Sequence, residues 1–155
     1  MQTLETILAN HPFFKGFEPR YMQLITGCAS NVRFKAGTHI FREGEPASSF
    51  YIIRQGKVAL QAMAAQHGSL IIQTIEDGEV LGWSWLFPPY RWHFGARAIA
   101  ETRAIALDGV CLREKGEADH DFGYELVKRV AQIMMERLQA TRLQSLDIYF
   151  GGVGT

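Results

Sequence analysis

The spacing of apolar residues divides the chain into three stretches of different period. Leu4, Ile7 and Leu8 recur at helical spacing. Asn10-His11-Pro12 closes that run, because proline has no amide hydrogen to donate and its ring crowds the preceding turn. After the aromatic turn Phe13-Phe14-Lys15-Gly16-Phe17, Pro19 sits where the first turn of a helix accepts it, with Met22, Leu24, Ile25 and Cys28 as the apolar face. From Val32 to about Leu107 the period shortens. Val32–Phe34, Thr38–Phe41, Phe50–Ile53, Lys57–Leu60, Leu70–Ile75 and Ala98–Leu107 read as strands, separated by turn signals at 35–37, 43–46, 55–56, 66–68 and 77–78. The pattern predicts an all-β roll or barrel braced by two short helices.

The third stretch is helical again. Asp119-His120-Asp121 offers capping residues, and no proline follows, so a long helix is expected over 119–149. Val127, Ala131, Met134, Leu138, Thr141, Ser145 and Ile148 alternate in steps of three and four, the seam of a coiled coil, and predict a homodimer. A second row, Leu126, Val130 and Ile133, is placed to face the β-roll, since both rows cannot face one partner. The chain therefore reads as one domain: N-terminal helices over 1–30, a β-roll over 31–110 and the long helix.

Composition narrows the function classes. With 155 residues, 47% of them hydrophobic, the chain can bury a core of its own. Lys plus Arg balance Asp plus Glu, 16 against 16, and the charges are interspersed, so no cationic surface for nucleic acid stands out. No apolar run reaches membrane-spanning length and the first residues lack a signal-peptide layout; a cytoplasmic protein with no membrane partner is expected. Cys28 and Cys111 are far apart and form no CxxC, and they read as buried free thiols.

One stretch carries most of the candidate chemistry. Gly78-Glu79-Val80-Leu81-Gly82-Trp83-Ser84-Trp85-Leu86-Phe87-Pro88-Pro89, followed by Phe94-Gly95-Ala96-Arg97-Ala98-Ile99-Ala100, describes a tight loop against a sheet. It resembles the phosphate-binding cassette of the cyclic-nucleotide-binding domain of the catabolite activator protein (Crp/Fnr-like) family. Upstream, Phe34-x-x-Gly37-x-x-Ile40-Phe41-x-x-Gly44-Glu45-x-Ala47-Ser48-x-Phe50-Tyr51-Ile52-Ile53-x-x-Gly56-x-Val58 resembles the family's β-roll signature, and His11-Pro12-Phe13-Phe14-x-Gly16-Phe17 its N-terminal turn. The resemblance implies a mainly β fold with flanking helices: a jelly-roll-like double-stranded β-helix with a long dimerisation helix. It also implies a regulatory role, with a cyclic nucleotide or other small effector as ligand. In the family's transcription factors a helix-turn-helix domain follows; here Gly151-Gly152-Val153-Gly154-Thr155 closes the sequence, and no direct DNA binding by this chain is expected.

The resemblance also marks a departure. Where the family carries a ribose-binding Glu this chain has Trp83, and where it carries a phosphate-binding Arg it has Phe94, or His93 in a loop one residue shorter. A buried phosphate without its guanidinium is costly to desolvate, so weak binding of cAMP or cGMP is expected. Arg91 and His93 could supply a cation by another route, while Arg97, out of phase with Phe94, is expected to meet solvent. Gly82, Trp83, Ser84, Trp85, Arg91, His93, Phe94, Gly95 and Ala96 are the pocket candidates, with Thr141 and Arg142 where family members let the helix touch the purine. Alternatively Trp83, Trp85, Trp92 and Phe94 fill the pocket as core and leave a scaffold for protein interaction. A haem sensor would rest on His93 as axial ligand in an apolar pocket. An enzyme of the metal-binding barrel kind is not expected, because His11, His39, His67, His93 and His120 stand isolated.

Overall fold

The computed structural model describes residues 3–66 and 68–151, the side chains of 144, 145 and 147–151 excepted. His67, the segment 152–155, and the side chains of Ser145 and Ile148 at the end of the expected seam lie outside the described residues. Two helices open the chain, α1 Leu4–Asn10 and α2 Pro19–Thr26. Thr3 caps α1 through its side chain, and Pro19 stands in the first turn of α2. Eight strands follow: β1 Ala29–Phe34, β2 His39–Phe41, β3 Ser49–Gln55, β4 Lys57–Ala64, β5 Gly68–Glu76, β6 Val80–Leu81, β7 Gly95–Ala98 and β8 Thr102–Asp108. They form two antiparallel four-stranded sheets, ordered β1-β8-β3-β6 and β2-β7-β4-β5. The chain ends in α3 Gly109–Ala118 and α4 His120–Gly151.

The run Ala98–Leu107, expected as one strand, is two strands in different sheets. Ile99 and Ala100 turn the corner: the Ile99 amide donates to Lys57 O at 2.8 Å and the Thr102 hydroxyl to Ala100 O at 3.0 Å. Glu101 and Arg103 beside the crossing alternate with Thr102 and Ala104 like the outer face of one continuous strand, which hides the corner. Helix α3 was not expected either. Asp108 accepts from the Cys111 amide at 3.1 Å and so caps a helix with few apolar positions. Asp119 separates α3 from α4 and caps the latter through the amides of Asp121 and Phe122.

The strand period of two sorts the side chains of β3 and β8 onto two cores. Phe50, Ile52, Ile105 and Leu107 face the helices, where they meet Leu8, Phe14, Leu112, Phe122 and the expected second row, Leu126, Val130 and Ile133. Ile53 and Ala104 face the roll interior, with Phe41, Val58, Leu60, Ile75 and Leu81. Met134, on the seam by spacing, is half-buried against the helix-side core, whereas Met135 is 52% exposed.

The expectation of free thiols is overturned: Cys28 and Cys111 form a disulfide, Cα atoms 6.0 Å apart. Their separation of 83 residues hid a close approach created by strand pairing. Ala29 lies opposite Leu107, and Asp108 N donates to Cys28 O at 2.8 Å, so the start of β1 and the start of α3 are neighbours.

Candidate functional site

The cassette is the segment from β6 to β7. Its entry is pinned by short ladder bonds, Gly78 N to Ile53 O at 2.7 Å and Ile53 N to Glu79 O at 2.9 Å. Beyond β6 the backbone reaches a positive φ of 96° at Gly82, a value that glycine adopts without strain. One 3-10 turn, Ser84–Leu86, and a cis Pro88–Pro89 bond then lead to Tyr90. The exit is held to the β2–β3 loop: Ala47 N donates to Tyr90 O at 2.7 Å, Trp92 N to Glu45 O at 3.0 Å, and Gly44 N to Trp92 O at 2.8 Å.

The cassette aromatics take different places. Trp92 enters the roll interior and lies flat on Phe41, ring centroids 3.7 Å apart and planes 9° from parallel. Its six-membered ring packs so closely on Gly82 that a β-carbon there would stand 2.7 Å from it. Trp85 goes the other way, into the helix-side core, stacked on Phe50 at 4.8 Å. Its Nε1 is buried and finds no acceptor among the described residues. Trp83 is half-buried against the middle of α4, beneath Arg137. Phe94 is 42% exposed and fills nothing, so the picture of four aromatics packed together in the pocket does not hold. The chain turns outward after Trp92 before β7 begins, and only Ala96 and Ala98 of β7 point inward. Ser84 is buried beside Trp85, and Gly95 is half-buried at the head of β7.

The cations are committed elsewhere. Arg91 donates to Gly44 O at 2.9 Å on the surface. Arg97, expected in solvent, is half-buried on the outer face of its sheet, in register with fully buried Ala59 and with its Nε shielded. Arg113 of α3 donates to Trp85 O, and its guanidinium lies 3.8 Å from the Tyr90 ring centroid. Arg137 of α4 donates to Val80 O and sits 4.8 Å from the Trp83 ring centroid. Burial lowers its pKa, offset in part by Glu79 and Glu136. Neither Arg113 nor Arg137 figured among the expected site residues. For Arg137 the signal was a cation set in the apolar row of α4, four residues before Thr141.

Thr141 and Arg142 are both exposed, and the Thr141 hydroxyl donates to Arg137 O at 2.9 Å. His93 is exposed, so no apolar pocket surrounds it as a haem ligand would require. A cleft of about 670 Å³ lies between the 11–15 turn, residues 78–80 and α4, lined by His11, Lys15, Glu79, Lys128 and Arg137 among others. It does not reach Ser84, His93 or Phe94. His11 spans its rim, Nε2 bonded to Gly78 O at 2.7 Å and Nδ1 accepting from the Phe13 amide at 3.1 Å.

A two-sheet roll with a glycine-bounded cassette against a long helix is the architecture of one class of regulatory module. Residues 31–119, more than half of the chain, match the profile of the Cyclic nucleotide-binding domain, and the chain belongs to that family. A CRP-like cAMP-activated global transcriptional regulator of Mycobacterium tuberculosis is 29% identical over 150 residues, a match covering 97% of this chain and 65% of the relative. The chain thus spans just under two thirds of that relative's length. A solved Geobacter metallireducens GS-15 structure, assigned as a cyclic nucleotide-binding protein, superposes with a TM-score of 0.80 at 25% identity, covering 88% of this chain and 99% of that one. The Thermus thermophilus Catabolite Activator Protein shares the fold, with a TM-score of 0.67 at 23% identity over 89% of this chain and 62% of its own. Among the described residues no helix is long and apolar enough to cross a membrane.

Proposed function

We propose that this chain is a regulatory sensing domain of the cyclic-nucleotide-binding type that has given up the family's charge-based hold on cAMP and cGMP and signals through α4 as a homodimer. The observation that carries the reading is Trp92: it occupies the roll interior beside Gly82, stacked on Phe41, where a ligand held by the cassette would need room. The arginines around the cassette support it, since each is engaged by a backbone carbonyl or lies on the outer face. A buried anion that loses a charged partner costs about 3–5 kcal/mol, more than a hundredfold in affinity. The Mycobacterium tuberculosis relative is activated by cAMP; here the regulation of a partner, and of transcription through that partner, needs another signal.

The homodimer rests on uncovered apolar surface. Val127, Met135, Leu138, Leu143 and Leu146 are exposed along α4, and Met63, Leu70, Ile71 and Ile72 are exposed on the β4–β5 hairpin. On α4 they recur at helical spacing, the arrangement through which two helices pack.

Calorimetry with cAMP and with cGMP tests the reading. The expected outcome is no saturable heat at ligand concentrations well above the micromolar range. A micromolar dissociation constant for either nucleotide, lost in an Arg91→Ala variant, overturns it and makes Arg91 the phosphate ligand.

A further inference from the structure

Helix α3 is the junction of three parts of the molecule. At its first residue, Gly109, a β-carbon would stand 2.7 Å from Cβ of Trp85, so the helix is seated directly on the cassette. Arg113, one turn on, holds Trp85 O and covers Tyr90. Near its end Gly116 meets Gly123 of α4, where a β-carbon on Gly123 would stand 2.8 Å from Gly116 O. Between Gly109 and Arg113 lies Cys111, bonded to Cys28 at the start of β1. One covalent bond thus fixes the helix that supports both the far half of the cassette and the root of the long helix.

We propose that Cys28–Cys111 is a thiol–disulfide switch that sets the rigidity of the cassette and of the α3–α4 junction. The inference goes beyond the function proposed above and holds whether or not the cassette takes a ligand. Cys28 is 7% exposed and Cys111 half-buried, so an incoming thiolate meets the Cys111 sulfur first. The new sulfur–sulfur bond forms there as the old one breaks, and Cys28 leaves as a thiolate and takes a proton. A second thiolate of the same dithiol reductant then resolves the mixed disulfide, freeing Cys111 and closing the reductant's own disulfide. Two electrons and two protons have passed to the protein. A peroxide reverses the change, two thiols and one hydrogen peroxide giving the disulfide and two waters. Without the bond, α3 keeps its apolar anchor, since Leu112 lies in the same core as Leu8, Phe122 and Leu126. The switch therefore loosens the junction and leaves the domain folded.

Hydrogen exchange on the full chain tests this, comparing protein kept in peroxide with protein reduced by a small dithiol. Alkylation and mass should find no free thiol in the first and two in the second. Exchange at 83–90 and 109–123 should quicken roughly tenfold on reduction, while β4 and β5 keep their protection, and peroxide should restore it. A Cys28→Ser variant should show the fast exchange permanently, indifferent to dithiol. Three results overturn the proposal: both cysteines alkylated in peroxide, exchange unchanged on reduction, or loss of protection across the whole chain, which would make the bond a staple of stability alone.

Discussion

Trp92 closes over Gly82: a β-carbon at Gly82 would stand 2.7 Å from Cη2 and Cζ3 of the indole. The contact joins the two ends of the cassette across the roll interior. Gly82→Ala should therefore destabilise the domain by about 2–4 kcal/mol, combining a left-handed backbone with an overpacked ring. Adding Trp92→Leu should recover part of the loss, because the clash disappears while the backbone strain remains. Thermal unfolding of the single and double variants decides it; a loss within about 0.5 kcal/mol for Gly82→Ala would show that the indole moves freely.

The association of two copies should depend on Met135 and Leu138, which are 52% and 51% exposed on α4. The pair Met135→Glu and Leu138→Glu should sediment as a monomer with an unchanged melting profile for the β-roll. Met134→Glu should instead lower stability, since Met134 packs against the helix-side core. A parent protein already monomeric at micromolar concentration would remove the basis of the dimer.

His11 should make stability fall on acidification. Its folded-state pKa lies below the ordinary 6.5, chiefly because burial disfavours the charged ring, with the bond to Gly78 O opposing. Below 6.5 the unfolded chain binds a proton that the folded one resists, so the stability due to His11 is complete above 6.5 and is lost as pH falls through the folded value. Protonation of Nδ1 would also abolish its bond from the Phe13 amide. Melting temperature against pH for the parent and His11→Gln should differ in slope below 6.5; parallel curves would assign the acid sensitivity to other groups.

The roll was legible because its turns are written locally. Gly37, Gly44, Gly56 and Gly78 all adopt positive φ, and the apolar runs between them alternate with the strand period. What could not be read depends on which strands become neighbours. The corner at Ile99 and Ala100 divides one apolar run between two sheets, and the Cys28–Cys111 bond follows from the β1–β8 register. At the site, the sequence singled out the segment between β6 and β7. It did not reveal that Trp85 and Trp92 point to opposite sides of β3, or that Phe94 turns outward, because irregular backbone between β6 and β7 breaks the alternation on which facing arguments rest. Arg137 escaped notice because its partner, Val80 O, belongs to the backbone.

The grip of Arg137 on Trp83 and Val80 is made wholly of permanent residents of the chain. An indole has no proton to lose in the physiological range and no formal charge for salt to mask, so this grip is far less sensitive to the ionic medium than a carboxylate–guanidinium pair would be. In mechanical terms the domain is a clutch engaged at rest. On the proposed reading, a signal carried by α4 has to break this grip before the long helix can move off the cassette.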